Sequence, residues 1–93
     1  MALTVTENAA KSRYELHDDG HLLGFTEYQQ REDGVLVFPH TVITSPKRGA
    51  GYGGTLVQEA LDDVRRKGRR IVALCPFVER FVAEHPEYQD LLA

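Results

Sequence analysis

Residues 47–54 read KRGAGYGG, so four of the chain's eight glycines, Gly49, Gly51, Gly53 and Gly54, fall within six positions. Glycine takes positive φ without strain and lets another group come close to the backbone. The segment that follows has helical spacing, and a helix start offers unpaired N–H groups and the positive end of its dipole. Lys47 and Arg48 add two cations at the mouth. Together these residues describe a cradle for a phosphate or pyrophosphate. Two further groups could move protons or form bonds. Cys75, the chain's one cysteine, stands immediately before Pro76 at a predicted helix start, a place where thiols become reactive. His40 follows Pro39 within an apolar run, and imidazole exchanges protons near neutral pH.

Known phosphate-loop patterns narrow the choice. The nucleoside-triphosphate loop requires Lys-Ser or Lys-Thr after its glycines, and neither is present. The dinucleotide fingerprint requires a turn between parallel strands, whereas the preceding strands here have hairpin signals. What remains is Arg48-Gly49-Ala50-Gly51-Tyr52-Gly53, an R-x-x-G-x-G. His17 and His21 flank a turn, and His40, His85 and Cys75 have no recognisable zinc spacing, so no metal is expected.

These groups need elements to hold them. Asp19-Gly20 and Asp33-Gly34 are hairpin turn signals. They predict antiparallel strands at 12–17, 21–31 and 35–44, with a fraying strand at 2–6. Leu36, Phe38, His40 and Val42 alternate with Val35, Val37, Thr41 and Ile43. A strand apolar on both faces is expected in mid-sheet with cover above and below. Pro39 cannot donate to a ladder there, which predicts a bulge beside His40. Leu56, Val57, Ala60, Leu61 and Val64 form one helical stripe, supported by Asp62–Arg66 and Asp63–Lys67 pairs and ended by Gly68. Residues 70–75, RIVALC, read as a short buried strand. Pro76 opens a second helix with a stripe of Phe77, Val78, Phe81 and Val82, and Pro86 stops it. The order β-β-β-α-β-α predicts an α/β (α+β) fold. A mostly antiparallel mixed sheet of four or five strands carries two helices, all in one domain over residues 1–93.

The R-x-x-G-x-G segment resembles the acyl-coenzyme A signature of the GNAT superfamily of N-acetyltransferases. FPHTVITSPKRGAGYGGTLVQEAL, IVALCPFV and HPEY resemble a short single-domain subfamily of it, over residues 12–91. The resemblance implies an acetyl-CoA or coenzyme A site. Backbone amides of Arg48, Gly49, Ala50, Gly51, Tyr52, Gly53 and Gly54 would hold the pyrophosphate, and the strand at Thr41, Val42 and Ile43 would pair with the pantetheine arm. The strands at 35–44 and 70–75 would splay to admit it beside Cys75 and Pro76. Many members of that superfamily transfer the acetyl group directly, with a tyrosine of the last helix protonating the leaving thiolate. The comparable position here holds Phe81, which has no hydroxyl. Cys75 and His40 remain as candidate catalytic residues, either as a cysteine–histidine pair passing through an acetyl-enzyme or with His40 alone as general base.

Composition sets the remaining bounds. Ninety-three residues with 42% hydrophobic and 27% charged side chains suit one thin-cored domain. A net charge of −3 gives no basic field for nucleic acid, and no apolar run is long enough to span a membrane. The cations of RRKGRR, residues 65–70, suit a helix C-terminus and solvent, with the 3′-phosphate of coenzyme A as the functional alternative. One cysteine and no signal-peptide pattern lead to the expectation of a cytoplasmic protein, monomeric or weakly dimeric. The expected activity is N-acetyl transfer from an acyl-CoA donor to an amine acceptor, a small molecule or a protein lysine. A coenzyme A or acyl-CoA binding module without transferase activity is the alternative, and a small interaction protein the third reading.

Overall fold

Asp19 and Gly20 both take positive φ, 50° and 85°. That is the conformation of a type I′ turn, whose twist matches the strands it joins. The computed structural model describes residues 3–44 and 51–93. In it this turn connects β2 (Arg13–Asp18) to β3 (His21–Gln30). Gly34, at φ 86°, turns β3 into β4 (Leu36–Ile43). The expected fraying strand at 2–6 is instead a regular edge strand, β1 (Leu3–Asn8), paired with β2 from Leu3↔Asp18 to Asn8↔Arg13. A 3-10 turn at Ala9–Lys11, capped by the Asn8 side chain, supplies the reversal.

The fold class is as expected: a mixed five-stranded sheet in the order β1-β2-β3-β4-β5 with two helices. Among the described strands only β5 (Ile71–Ala73) runs parallel to its neighbour, and it is shorter than the expected 70–75. Helix α1 (Tyr52–Arg66) crosses between β4 and β5. Its stripe of Leu56, Val57, Ala60, Leu61 and Val64 is buried throughout, each Leu or Val contributing about 1.5–3 kcal/mol. Gly68 at φ 68° ends it, with Gly68 N–H bonded to the Arg65 carbonyl and Arg69 N–H to that of Val64. Helix α2 (Pro76–Glu84) buries Val78, Phe81 and Val82. Phe77 does not join that stripe and is 45% exposed.

The expectation of cover on both faces of β4 is also corrected. Tyr14, Leu16, Tyr28, Leu36 and Phe38 share a single core with both helices and the final turn Pro86–Leu91. Among the described residues, Phe25, Val37 and Val42 lie outside that core. The second face shields itself: the Arg13 guanidinium lies 4.2 Å above the Phe25 ring and bonds Glu15 at 2.7 Å. Long polar side chains laid along a sheet cover apolar surface without a second layer.

Candidate active site

The bulge predicted at Pro39 sets the geometry of the site. Glu27 faces His40, but Gln29 faces Val37, so Tyr28 alone opposes the two residues Phe38 and Pro39. The extra residue needs no ladder donor, which suits a proline. It also changes facing: Phe38 and Thr41, three apart, both look toward the helices, while His40 looks toward the open face.

Two strands part at the same point. β4 and β5 pair through Leu36↔Ile71, Val37↔Val72 and Phe38↔Ala73 and no further. The Phe38 carbonyl accepts from both Leu74 and Cys75 N–H at 3.1 and 2.8 Å, and the chain then turns into α2. From Pro39 on, no described strand pairs with the outer edge of β4, so Thr41, Val42 and Ile43 carry a free extended edge. This is the splay expected from the sequence. Ile43, Leu74 and Phe77, all exposed apolar side chains, lie on the segments that border it.

Both helix N-termini reach this opening. Gly51, the N-cap of α1, has φ 76°, and neither it nor Cys75, the N-cap of α2, caps its helix through a side chain. The two helix starts meet closely, since a methyl group on Gly53 would lie 2.7 Å from the Phe77 ring. Tyr52 is buried in the core, so its side chain is structural and only its amide faces the N-terminal turn. Gly54 has open space above it, and Pro76 occupies the first position of α2. Arg48, Gly49 and Ala50 lie outside the described residues.

The structure does not bring Cys75 and His40 together. Cys75 is 4% exposed, and its thiol bonds Thr41 Oγ1 at 3.6 Å on the helix side. The Thr41 hydroxyl meets Thr26 Oγ1 at 2.9 Å, and Thr26 reaches the His40 carbonyl at 3.5 Å. The His40 ring is on the other face, half-exposed and paired with the Glu27 carboxylate. A shallow cavity of about 180 Å3 adjoins that pair, lined also by Ser12 and Pro39. Sequence reasoning missed Glu27, Thr26 and the Thr41 side chain. Counting residues back from the Asp33-Gly34 turn, with one added for the bulge, pairs Glu27 with His40 and would have found the first.

Other polar groups have structural partners. The buried tyrosines Tyr14, Tyr28 and Tyr88 donate to Asp63, Glu7 and Asp62. Burial and then the facing carboxylates push Tyr28 and Tyr88 up to about 12, and Tyr14 further still. All three stay protonated hydrogen-bond donors. Burial alone would raise Asp63, but hydrogen bonds from Lys67, Tyr14 and Arg66 outweigh it and hold the group at about 2. Of the helix-end cations, Arg65 bonds Asp90, Arg66 bonds Asp63, and Lys67 bonds Glu7 and Asp63. Asp63 therefore takes the partner expected of Asp62. His85 stacks on Phe81 with ring centroids 4.0 Å apart, and the Tyr88 hydroxyl ties the last turn to α1. An apolar groove of about 370 Å3 runs between β5, α2 and Leu92. It contains none of the glycines, thiols or imidazoles described above, and a surface groove between packed elements explains it. Among the described residues no three His, Cys, Asp or Glu side chains gather as metal ligands.

Residues 13–91 match the family described as GCN5-related N-acetyl-transferase. The fold is similar to the NMR solution structure of a GCN5-like protein from Staphylococcus aureus, with a TM-score of 0.72 at 20% identity over 98% of this chain and 88% of that one. No curated protein matches the chain at a significant level.

Proposed function

The chain belongs to the GCN5-related N-acetyltransferase family, and from that premise we propose that it transfers an acetyl group from acetyl-CoA to an amine. Membership assigns acetyl transfer as the chemistry; the donor and the kind of acceptor are the finer reading. One observation carries it. The free edge of β4 and the two uncapped helix starts at Gly51 and Cys75 converge on one opening. An extended edge suits an arm that carries amide groups, and helix N-termini suit a pyrophosphate. The amides from Arg48 to Gly54 would hold the pyrophosphate, and Thr41–Ile43 the pantetheine. Acetyl-CoA would bring the activated acyl group as a thioester.

This chain's residues then divide the remaining work. The amine must lose a proton as it attacks, and His40, held by Glu27 beside a shallow cavity on the open face, is placed to accept it. Glu27 fixes the ring's orientation, as a carboxylate beside a catalytic imidazole does. Among the described residues no second layer covers that face, so the acceptor approaches an open surface, which suits a protein lysine or a flexible polyamine.

The test is release of free coenzyme A thiol from acetyl-CoA in the presence of a lysine peptide, spermidine or small primary amines. Saturable, amine-dependent release is expected, and it should fall about 100-fold or more in His40→Ala, the usual loss on removing a general base. Coenzyme binding with no release for any amine would overturn the reading in favour of a binding module.

A further inference from the structure

Strand β1 (Leu3–Asn8) ends the sheet, and among the described residues no strand pairs with its outer side. Such an edge presents a row of unpaired N–H and C=O groups, which proteins ordinarily protect with a bulge, a proline, a lysine or another charge. β1 uses none of these. Its register with β2 runs unbroken from Leu3↔Asp18 to Asn8↔Arg13, and LTVTEN contains no proline or lysine. Its single charge, Glu7, is already neutralised: Lys67 lies 2.6 Å and Arg69 3.3 Å from the carboxylate, which also accepts from Tyr28. Leu3, Thr4 and Thr6 are exposed. We propose that this edge pairs with the same edge of a second copy, antiparallel about a two-fold axis at Val5, so that the two sheets become one.

The charges beside the edge favour a second copy over a foreign strand. Between β1 and α1 lies a cavity of about 540 Å3 lined by both signs of charge. Glu59, Asp62 and Asp63 come first along the helix, and Arg66 and Lys67 follow. A two-fold axis normal to the sheet reverses the helix together with the strand and keeps both helices on one side. Glu59 of one protomer then faces Arg66 of its partner across the joined cavities, and symmetry repeats the pair. Among the described residues Glu59 has no ion-pair partner, and the Arg66 side chain is 71% exposed. A strip acidic at one end and basic at the other attracts its own reversed copy. In the ladder itself Val5 meets Val5, Leu3 meets Glu7, and Thr4 meets Thr6 on the open face. β-branched pairs of this kind suit antiparallel strands. The same axis leaves β4 and β5 at the far ends of the joined sheet, so the pairing does not cover the coenzyme opening. The inference therefore stands apart from the acetyl-transfer reading.

A six-residue edge is a small interface, so weak association is expected, with Kd on the order of 100 µM. Sedimentation equilibrium of the wild-type chain up to about 1 mM should show the mass rising from one chain toward two. Hydrogen exchange of the β1 amides should slow over the same range. Thr4→Lys with Thr6→Lys sets lysine opposite lysine at both symmetry-related pairs and should weaken the dimer about 10-fold. Thr4→Lys with Thr6→Glu sets opposite charges face to face and should recover it. Both positions are exposed, so the variants should keep the wild-type melting temperature. The inference is overturned by a wild-type chain that stays monomeric at that concentration, or by a dimer that the lysine pair leaves intact. Failure of the lysine–glutamate variant to recover association also overturns the pairing about Val5. Should the lysine pair fail to fold, Thr6→Lys alone and the wild-type hydrogen exchange still decide the matter.

Discussion

Gly24 on β3 lies directly beneath the edge assigned to the coenzyme, and replacing it with alanine tests that placement. A methyl group there would sit 2.7 Å from the Val42 carbonyl oxygen and from Ile43 Cδ1, and 3.2 Å from Ile43 Cα. Ordinary contact for such a carbon begins near 3.4 Å. The isoleucine methyl can rotate away, but the carbonyl and Cα are main chain. Relief therefore requires β4 to move by several tenths of an ångström at Val42–Ile43, where β3 pairs Gly24↔Ile43 and Phe25↔Val42. Overpacking of this kind costs about 1–3 kcal/mol. In a domain of this size 1 kcal/mol lowers Tm by roughly 4–8 °C, so Gly24→Ala should melt about 4–24 °C below wild type. The paired strands at Leu36–Phe38 lie on the far side of the bulge and should hold. The damage should concentrate on the free edge, and acetyl-CoA affinity should fall in calorimetry while helix content by circular dichroism stays near wild type. A variant that melted within 2 °C of wild type, or bound the coenzyme equally well, would refute the reasoning.

Gly51→Val forces a β-branched residue into φ 76° at the start of α1 and should weaken both stability and coenzyme binding, read by melting and calorimetry in parallel. Asp63 is held at about 2 against an ordinary 3.8. A carboxylate with a depressed value stabilises the fold above 3.8 and stops doing so as pH falls through 2. Asp63→Asn should therefore lose on the order of 1–2 kcal/mol at neutral pH, allowing for solvent screening, and the gap should close below about pH 2 in urea melts. Glu27→Gln keeps a hydrogen-bond acceptor for His40 but removes the charge, so kcat should fall roughly tenfold with little change in KM for acetyl-CoA; an unchanged kcat would remove Glu27 from the mechanism.

Features written in local chemistry were legible before any coordinates. Asp19-Gly20 and Gly34 mark turns because few other residues tolerate positive φ, and the α1 stripe shows because its five apolar residues share one face. Pro39 betrayed a bulge because proline has no donor to offer a ladder. What stayed hidden depends on pairings across the sheet. That Val37 and Val42 face outward follows from where the helices pack, and the strand's own sequence is apolar either way. Phe77 fits a helical stripe by spacing, yet rests over Gly53 because two helix starts meet there. The partners of His40 and Cys75 were hidden in the same way: both residues border the splay, but one added residue in β4 turns Thr41 toward the thiol and His40 away from it.

The central claim is that the opening between β4 and α2, where Gly51 starts α1, holds an acyl-coenzyme A. Calorimetric titration of the wild-type chain with acetyl-CoA, repeated on Arg48→Glu and Gly51→Val, tests it most directly. Saturable one-to-one binding that both substitutions abolish or greatly weaken is the predicted result, and a ligand at 100 times its Kd should add about 2.7 kcal/mol to stability. No binding to wild type, or equal binding to all three proteins, would contradict it.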